Sequence, residues 1–481
     1  MRRTAPAPAD HGHDLPDPRR WQALALLCLA QFMVILDVTV VNVAVPAIGA
    51  DLSLDRAALT WVVTAYTLCF GGLMLLGGRL ADLLGRRRVF LTGLATFTLA
   101  SLGAGLAGDG GLLVAARGLQ GVGAALLSPA ALAIITTTFR GRERHRALGV
   151  WAALGGAGAA VGVLLGGILA AGPGWQWVFF VNLPVGLLVA VAVPATVAAS
   201  PRPAATGVDL PGALTVTAAA GLGIYGLVQA GDTGWTAAGT LLPLGLGLLL
   251  LGVFVQLERT VAAPLVDLRL LAGRPVAAGF GTMLAASGLL ISGFFLSSLL
   301  LQRVMGLSAL STGLVFLPVA VATIVGAQAA AHLLGRVGGR PVAAVAFTLA
   351  ALGMALLAGV PADADPVTDV LPGFMLAAAG LGAAFVTATA TAMAQVDPQR
   401  AGLISGVVNT AHELGAALGV ALVSTIAGAS IDTASAAGPA ATAGFGDAFL
   451  ASAILAGLVA VAAPVLLPPG RPTTDGPRFA H

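Results

Sequence analysis

The chain contains no lysine: all 24 basic residues are arginine. That excludes the Gly-rich nucleotide-binding loop GxxxxGK[ST], whose lysine reaches the phosphates, so ATP is not expected as a direct energy source. With the heavy use of Ala and Gly, the all-arginine pattern reflects a GC-rich genome rather than chemistry. Cysteine is almost as scarce, two in 481 residues. Cys28 and Cys69 both fall within apolar runs and read as packing residues, with no disulfide or metal site indicated. Charge is sparse too, at 9% of residues against 58% hydrophobic, and mean hydropathy is +0.95. No soluble globular class has such a composition. The pI of about 9.5 does not indicate nucleic acid, because the arginines are dispersed among short segments between apolar runs. No nucleophile–base pair or metal-ligand cluster appears, so an enzyme is not expected.

What the sequence does have is long apolar runs. A membrane-spanning helix needs about 20 apolar residues, and fourteen candidate runs follow one another from 21–46 to 447–467. They are continuous rather than alternating, which indicates helices and not a barrel. No cleavable signal is evident, since the first run is long enough to span and follows a polar head. The fold expected is an all-α integral membrane protein. If the amino terminus is cytoplasmic, 21 of the 24 arginines lie in cytoplasmic segments. Arg56 and Arg303 lie outside and Arg117 within a span. The opposite orientation reverses this bias, so both termini are expected in the cytoplasm of a cell-membrane protein.

The stretch GGRLADLLGRRRVF, Gly77 to Phe90, carries five charged residues between two apolar runs and reads as a tight cytoplasmic loop. A faint copy lies at His332–Val342: laying HLLGRVGGRPV over RLADLLGRRRV places Gly85 on Gly338, Arg87 on Arg340 and Val89 on Val342. The offset divides the spans into two sets of six with spans 7 and 8 between them, a transporter architecture.

GGRLADLLGRRRVF resembles the signature loop between helices 2 and 3 of the major facilitator superfamily. LDVTVVNVAVPAI (Leu36–Ile48), RGLQGVGAALLSPAALAII (Arg117–Ile135) and WQWVFFVNLPVGLL (Trp175–Leu188) resemble helix 1, helix 4 and the start of helix 6 in its fourteen-helix drug:proton antiporters, the EmrB/QacA-type exporters. The sequence departs from that pattern at Val163, which follows Gly162 where a paired glycine is usual, and at Gln176, which replaces an arginine. The resemblance implies a major facilitator fold: a head (1–20) expected to be disordered, six-helix bundles over 21–200 and 259–468, two linker spans over 201–258, and a cytoplasmic tail (469–481). It also implies a functional monomer that exports small lipophilic or cationic molecules in exchange for protons. No cofactor is expected; the proton gradient supplies the energy and the bilayer is the surrounding partner. Export of one endogenous metabolite is the alternative, and a membrane scaffold or sensor without transport is the reading from another class.

Three groups of residues carry the chemistry. In the Gly77–Phe90 stretch the resemblance implies a cytoplasmic gate built from Gly78, Arg79, Asp82, Gly85, Arg86 and Arg87, with Asp82 bridging to a neighbouring helix and Arg86 and Arg87 gripping the facing helix end. The alternative is that the arginines only set topology.

The second group is the rare charge inside spans, which is costly and usually functional. Asp37 lies about 24 Å into a ~30 Å core and Arg117 about 8 Å from the other side, so the two are at similar depth. Either they pair or each faces an outward cavity. The resemblance gives Arg117 a part in proton coupling. Gln120, one turn from Arg117, and Asn42, just beyond Asp37, are candidates to extend a polar path. Glu413, about 16 Å into its span, is a candidate for proton exchange or for binding a cationic substrate, with His412 adjacent and Asn409 one turn away.

The third group is the small-residue stripe Gly158, Gly162, Gly166 with Gly167, which suits close helix packing, static or sliding. Trp175 and Trp177 are expected as interfacial anchors. Spans 7 and 8 are expected to hold no buried charge, and Ser430–Gly446 to be mobile.

Overall fold

A computed structural model describes residues 19–139, 141–198, 209–261, 264–266, 268–361, 363–394, 401–428 and 440–469. Most of the head (1–20), the tail (469–481) and the first part of Ser430–Gly446 lie outside these residues. Residues 440–446 are helical.

The described chain is helical, with no strand among the described residues. The amino-terminal half comprises α1 (Arg20–Asp51), α2 (Arg56–Leu84), α3 (Arg86–Gly105), α4 (Gly110–Thr138), α5 (Gly141–Ala171) and α6 (Trp177–Thr196). Two intervening helices follow, α7 (Leu210–Thr233) and α8 (Ala238–Thr260). The second half comprises α9 (Arg274–Val304), α10 (Ala309–Val337), α11 (Gly339–Ala358), α12 (Pro366–Met393), α13 (Ala401–Ile426) and α14 (Ala440–Leu466). Thirteen of these are long and apolar enough to cross a membrane. The fourteenth, α5, is 31 residues long and includes the apolar stretch Val161–Ala171. In lipid a helix satisfies its own backbone polar groups, which is why continuous apolar runs become helices here. Side-chain caps set several starts: Asp55 accepts from Ala58 N, Asp109 from Leu112 N and Ser308 from Ser311 N.

The two halves share a packing plan. α2 and α3 lie against α4 as α10 and α11 lie against α12, and α1 packs on α5 as α9 packs on α13. The halves meet along two matching seams, α2 with α13 and α5 with α10, with α1 against α9 between them. α7 and α8 pair with each other, and α7 lies along α2 and α13. α8 turns a row of leucines outward, among them Leu242, Leu248 and Leu249.

The faint sequence repeat corresponds to a repeated joint. Gly85 (φ +96°) is the single residue between α2 and α3, and Gly338 (φ +85°) the single residue between α10 and α11. Positive φ there is inexpensive only for glycine. Two residues on, each copy has an arginine that donates to the end of the last helix of its own half. Arg87 Nη1 donates to Val197 O at 2.8 Å, and Arg340 Nε to Leu467 O at 2.9 Å. The expected loop over Gly77–Phe90 is thus two helix ends and one glycine.

Candidate functional site

Asp37 is fully buried in α1. The helix is 32 residues long, so Asp37 is about 26 Å from its start and about 21 Å from its end, nearer the middle than the apolar run alone suggests. Arg117 of α4 is buried beside it. One guanidinium nitrogen, Nη1, makes an ion pair with Asp37 Oδ2 and also donates to Gln120 Oε1 at 2.8 Å. Nε donates to the Val62 carbonyl at 3.0 Å, and the Tyr66 ring lies 4.4 Å beneath the guanidinium carbon, a cation–π contact.

The other carboxylate oxygen, Oδ1, accepts from Gln120 Nε2 and from Asn182 Nδ2, each at 3.0 Å. Both amides also donate to Ser101 Oγ, at 2.8 and 3.3 Å. One network therefore ties α1, α2, α3, α4 and α6 together. A buried ion pair is tolerable only when its remaining polar valences are met, and these donors meet them.

Glu413 of α13 is buried at the α2 seam. Its β-carbon is so close to Gly71 that a side chain there would come within 2.5 Å of it; the absence of one lets the two halves touch. His412 Nε2 is 4.0 Å from Glu413 Oε1, and the His412 ring lies 5.3 Å from that of Phe385. Asn409 is exposed. Glu413 is not a member of the Asp37 network.

Asn42, buried in α1, donates to its own helix at Val38 O, 2.8 Å, and its Oδ1 has no partner. It does not extend the Asp37 path. Gly158, Gly162 and Gly166 of α5 face α1, where side chains would meet Ile35, Thr39 and Val40. Gly167 alone faces the other half, at Ala309 and Leu310 of α10. At the Gly85 joint, Asp82 near the end of α2 pairs with Arg86 at the start of the neighbouring α3, 3.6 Å away across the single-glycine break. Arg79 Nη2 donates to Pro264 O at 3.1 Å, between α8 and α9. Gly78 lies against Pro129 of α4.

The match to the Major Facilitator Superfamily covers residues 27–420. The chain belongs to the major facilitator superfamily. The puromycin resistance protein of Streptomyces alboniger is 42% identical over 420 residues, covering 85% of this chain and 82% of that one. The cephamycin export protein of Amycolatopsis lactamdurans is 40% identical, covering 94% of each. Among solved structures, an auto-inhibited peptide transporter of the POT family aligns with a TM-score of 0.67 over 93% of this chain and 96% of that one, at 17% identity. A bacterial homologue of the lysosomal transporter Spinster, inward-facing and occupied, aligns at 0.66 over 94% and 98%, at 16% identity. At those identities the two structures establish the fold alone. The protein is a multi-pass membrane transporter.

Several residues of this transporter's polar interior are not evident from sequence. Ser101, Asn182 and Tyr66 join the Asp37 network; Asn182 stands within the WQWVFFVNLPVGLL motif, where one amide in an apolar run is the only signal. Trp175 is not an interfacial anchor: it is buried and donates from Nε1 to Asp51 Oδ2 at 2.8 Å, whereas Trp177 is exposed. Spans 7 and 8 themselves hold no charged residue, but buried charge lies just beyond their ends. Asp209 and Glu258 are buried at one end, and at the other Asp232 of α7 pairs with the buried Arg56 of α2. Glu258 lies one residue past the apolar run, where an acid ordinarily reaches water. At the Arg56 end Thr60 of α2 and Ser424 of α13 share a hydrogen bond of 2.5 Å, and Gln302 Nε2 of α9 donates to Val43 O of α1 at 2.9 Å.

Proposed function

We propose that the protein is a secondary exporter that exchanges protons for apolar or cationic drug-like molecules, antibiotics among them, by alternating access between its two halves. The observation that carries this reading is the buried Asp37–Arg117 ion pair with its second-oxygen donors Gln120 and Asn182. A proton arriving on Asp37 removes the charge that balances Arg117 and displaces a donor. A buried guanidinium that loses its counter-charge costs about 3–5 kcal/mol, enough to shift a two-state balance whose states differ by a few kcal/mol. Glu413, at the seam that must shear as the halves rock, supplies a second acid. His412 and the exposed Asn409 lie on its helix toward the arginine-rich end.

Arginine counting assigns the end bearing Gly85 and Gly338 to the cytoplasm, with both termini there, and the Thr60–Ser424 end to the outside. The outer ends are in contact across the halves, which corresponds to a state closed outward. Arg79, Asp82, Arg86 and Arg87 then brace the cytoplasmic rim. The transporter works as a monomer, with no cofactor beyond the proton gradient.

The test is proton flux in inside-out vesicles challenged with a panel of cationic dyes. Addition of a transported dye should dissipate a preformed pH gradient, and Asp37→Asn and Glu413→Gln should each abolish that coupling with normal membrane insertion. A gradient that no dye dissipates removes the antiport reading; unchanged coupling in both variants removes the two acids as carriers. The cephamycin export relative, matched over nearly the whole of both chains, supports a narrower reading, export of one metabolite made by the cell itself. A response to a single compound in an otherwise silent panel distinguishes it.

A further inference from the structure

The intervening helices hold a second acidic centre that includes neither Asp37 nor Glu413. Asp209, just before α7, and Glu258, in the last turn of α8, are 2% and 5% exposed. Each carboxyl group is fixed by one oxygen to a backbone amide. Asp209 Oδ1 accepts from Gly212 N at 2.8 Å, and Glu258 Oε2 from Val266 N at 2.9 Å. The remaining oxygens, Asp209 Oδ2 and Glu258 Oε1, are buried with no donor. The two free oxygens lie close together, both in contact range of one point beside Gly212. The space between them is kept by Gly212, where a β-carbon would come against both free oxygens, 2.9 Å from Glu258 Oε1.

Two acceptor oxygens cannot bond to each other, and two desolvated carboxylates in contact repel strongly. A buried polar atom left unpaired costs about 1–3 kcal/mol, more if charged. One hydrogen ion between the two oxygens resolves all of this: one group becomes the donor, the other the acceptor, and the pair carries a single negative charge. We infer that Asp209 and Glu258 form a proton-binding site that holds one proton between Oδ2 and Oε1.

The surroundings give the site a consequence. Glu258 anchors Val266, and Arg79 of the signature stretch holds Pro264 two residues away. Leu265 and Val266 are buried against Leu76 of α2, Ala213 of α7 and Val276 of α9. Among the described residues, the charged side chains on the packed elements include Arg79 of α2, Arg259 next along α8, Arg269 of the short helix Leu268–Ala272, and Arg274 of α9, whose guanidinium turns to the end of α14; His412 and Glu413 lie further along α13, and Arg56 and Asp232 pair at the other end of α7. Exposed Asp82 is one turn beyond Arg79 on α2. Release of the shared proton leaves two adjacent negative charges. Their repulsion drives the start of α7 from the end of α8 and loosens the 264–266 segment that Arg79 holds. The joint between α8 and the second half thereby responds to pH.

Infrared spectroscopy of the purified full-length protein in lipid nanodiscs tests the site, in an Asp37→Asn/Glu413→Gln background that removes the other two buried acids among the described residues. A protonated-carboxyl C=O band that titrates is expected there. It should vanish on adding either Glu258→Gln or Asp209→Asn, each of which preserves shape and can supply an amide donor to the other oxygen. A background protein without the band, or a band that survives both substitutions, overturns the inference. The consequence is tested with Pro264→Cys in a chain lacking Cys28 and Cys69. Thiol labelling should rise several-fold as pH is raised through the titration of the band, and should be flat in Glu258→Gln. Labelling that is independent of pH with Glu258 present, or equally dependent without it, refutes the pH-sensitive joint. Neither readout requires transport, so these outcomes are separate from those of the exchange reading.

Discussion

Asp37 accepts from three side-chain donors on two helices, Arg117 and Gln120 of α4 and Asn182 of α6. Removing one neutral donor leaves a buried acceptor short of a partner, a loss of about 1–3 kcal/mol. Asn182→Ala is therefore expected to lower the thermal unfolding temperature and to reduce proton-coupled transport about tenfold, the equivalent of ~1.4 kcal/mol. Thermal unfolding in detergent and vesicle flux check this; wild-type values in both would show that Asn182 does not support Asp37. The Asp37–Arg117 pairing was legible because both charges are rare and sit at similar depth. Asn182 and Ser101 were not, because a neutral polar residue in an apolar run gives no sign of which neighbour it meets. Asn42 misled for a geometric reason: five residues along a helix rotate it about 140° away from Asp37. Glu258 was hidden by its place at a helix end.

At the scale of helices, hydropathy located the spans and the spacing of glycines located close packing, but neither gives a partner. The stripe Gly158, Gly162 and Gly166 lies against α1 within its own half, and only Gly167, one position off the stripe, faces α10. Packing and sliding thus belong to different faces of α5. Gly167→Leu should jam the α5–α10 seam against the Ala309 and Leu310 backbone and stop transport with the half itself still folded. Gly158→Ala should act instead through stability, by overpacking against Ile35 at a cost of about 1–3 kcal/mol. Comparing unfolding temperature with flux in the two variants separates them; equal effects on both readouts would contradict the division. The turn between α2 and α3 was recognisable as a break, but its reduction to one residue follows from the positive φ at Gly85.

At the scale of the molecule, the faint repeat pointed to two halves, and the matched seams α2–α13 and α5–α10 supply what one dimension cannot, namely which helices of the halves face each other. Thr60 and Ser424 join the halves at one end through a single pair of hydroxyls. Thr60→Cys with Ser424→Cys, in a chain lacking Cys28 and Cys69, should crosslink on oxidation. Transport should then cease and return on reduction. Full transport by the crosslinked protein would show that this end need not open. α7 is part of the same closure, since Thr425 Oγ1 of α13 donates to Leu227 O at 2.5 Å and Arg56 of α2 holds both Val228 O and Asp232. The intervening pair is thus attached to both sides of the seam rather than suspended between the halves.

The paired joints at Gly85 and Gly338 bear on how force passes through the protein. In each half an arginine fastens the second and third helices to the carbonyl at the end of the sixth, so the rim of each half is triangulated like a truss. A triangulated frame has little compliance. In the proposed exchange cycle, strain produced around Asp37 would appear as displacement at the seams rather than as bending inside its half. In that cycle the halves would act as stiff levers, with Arg87 and Arg340 as the fasteners of their rims.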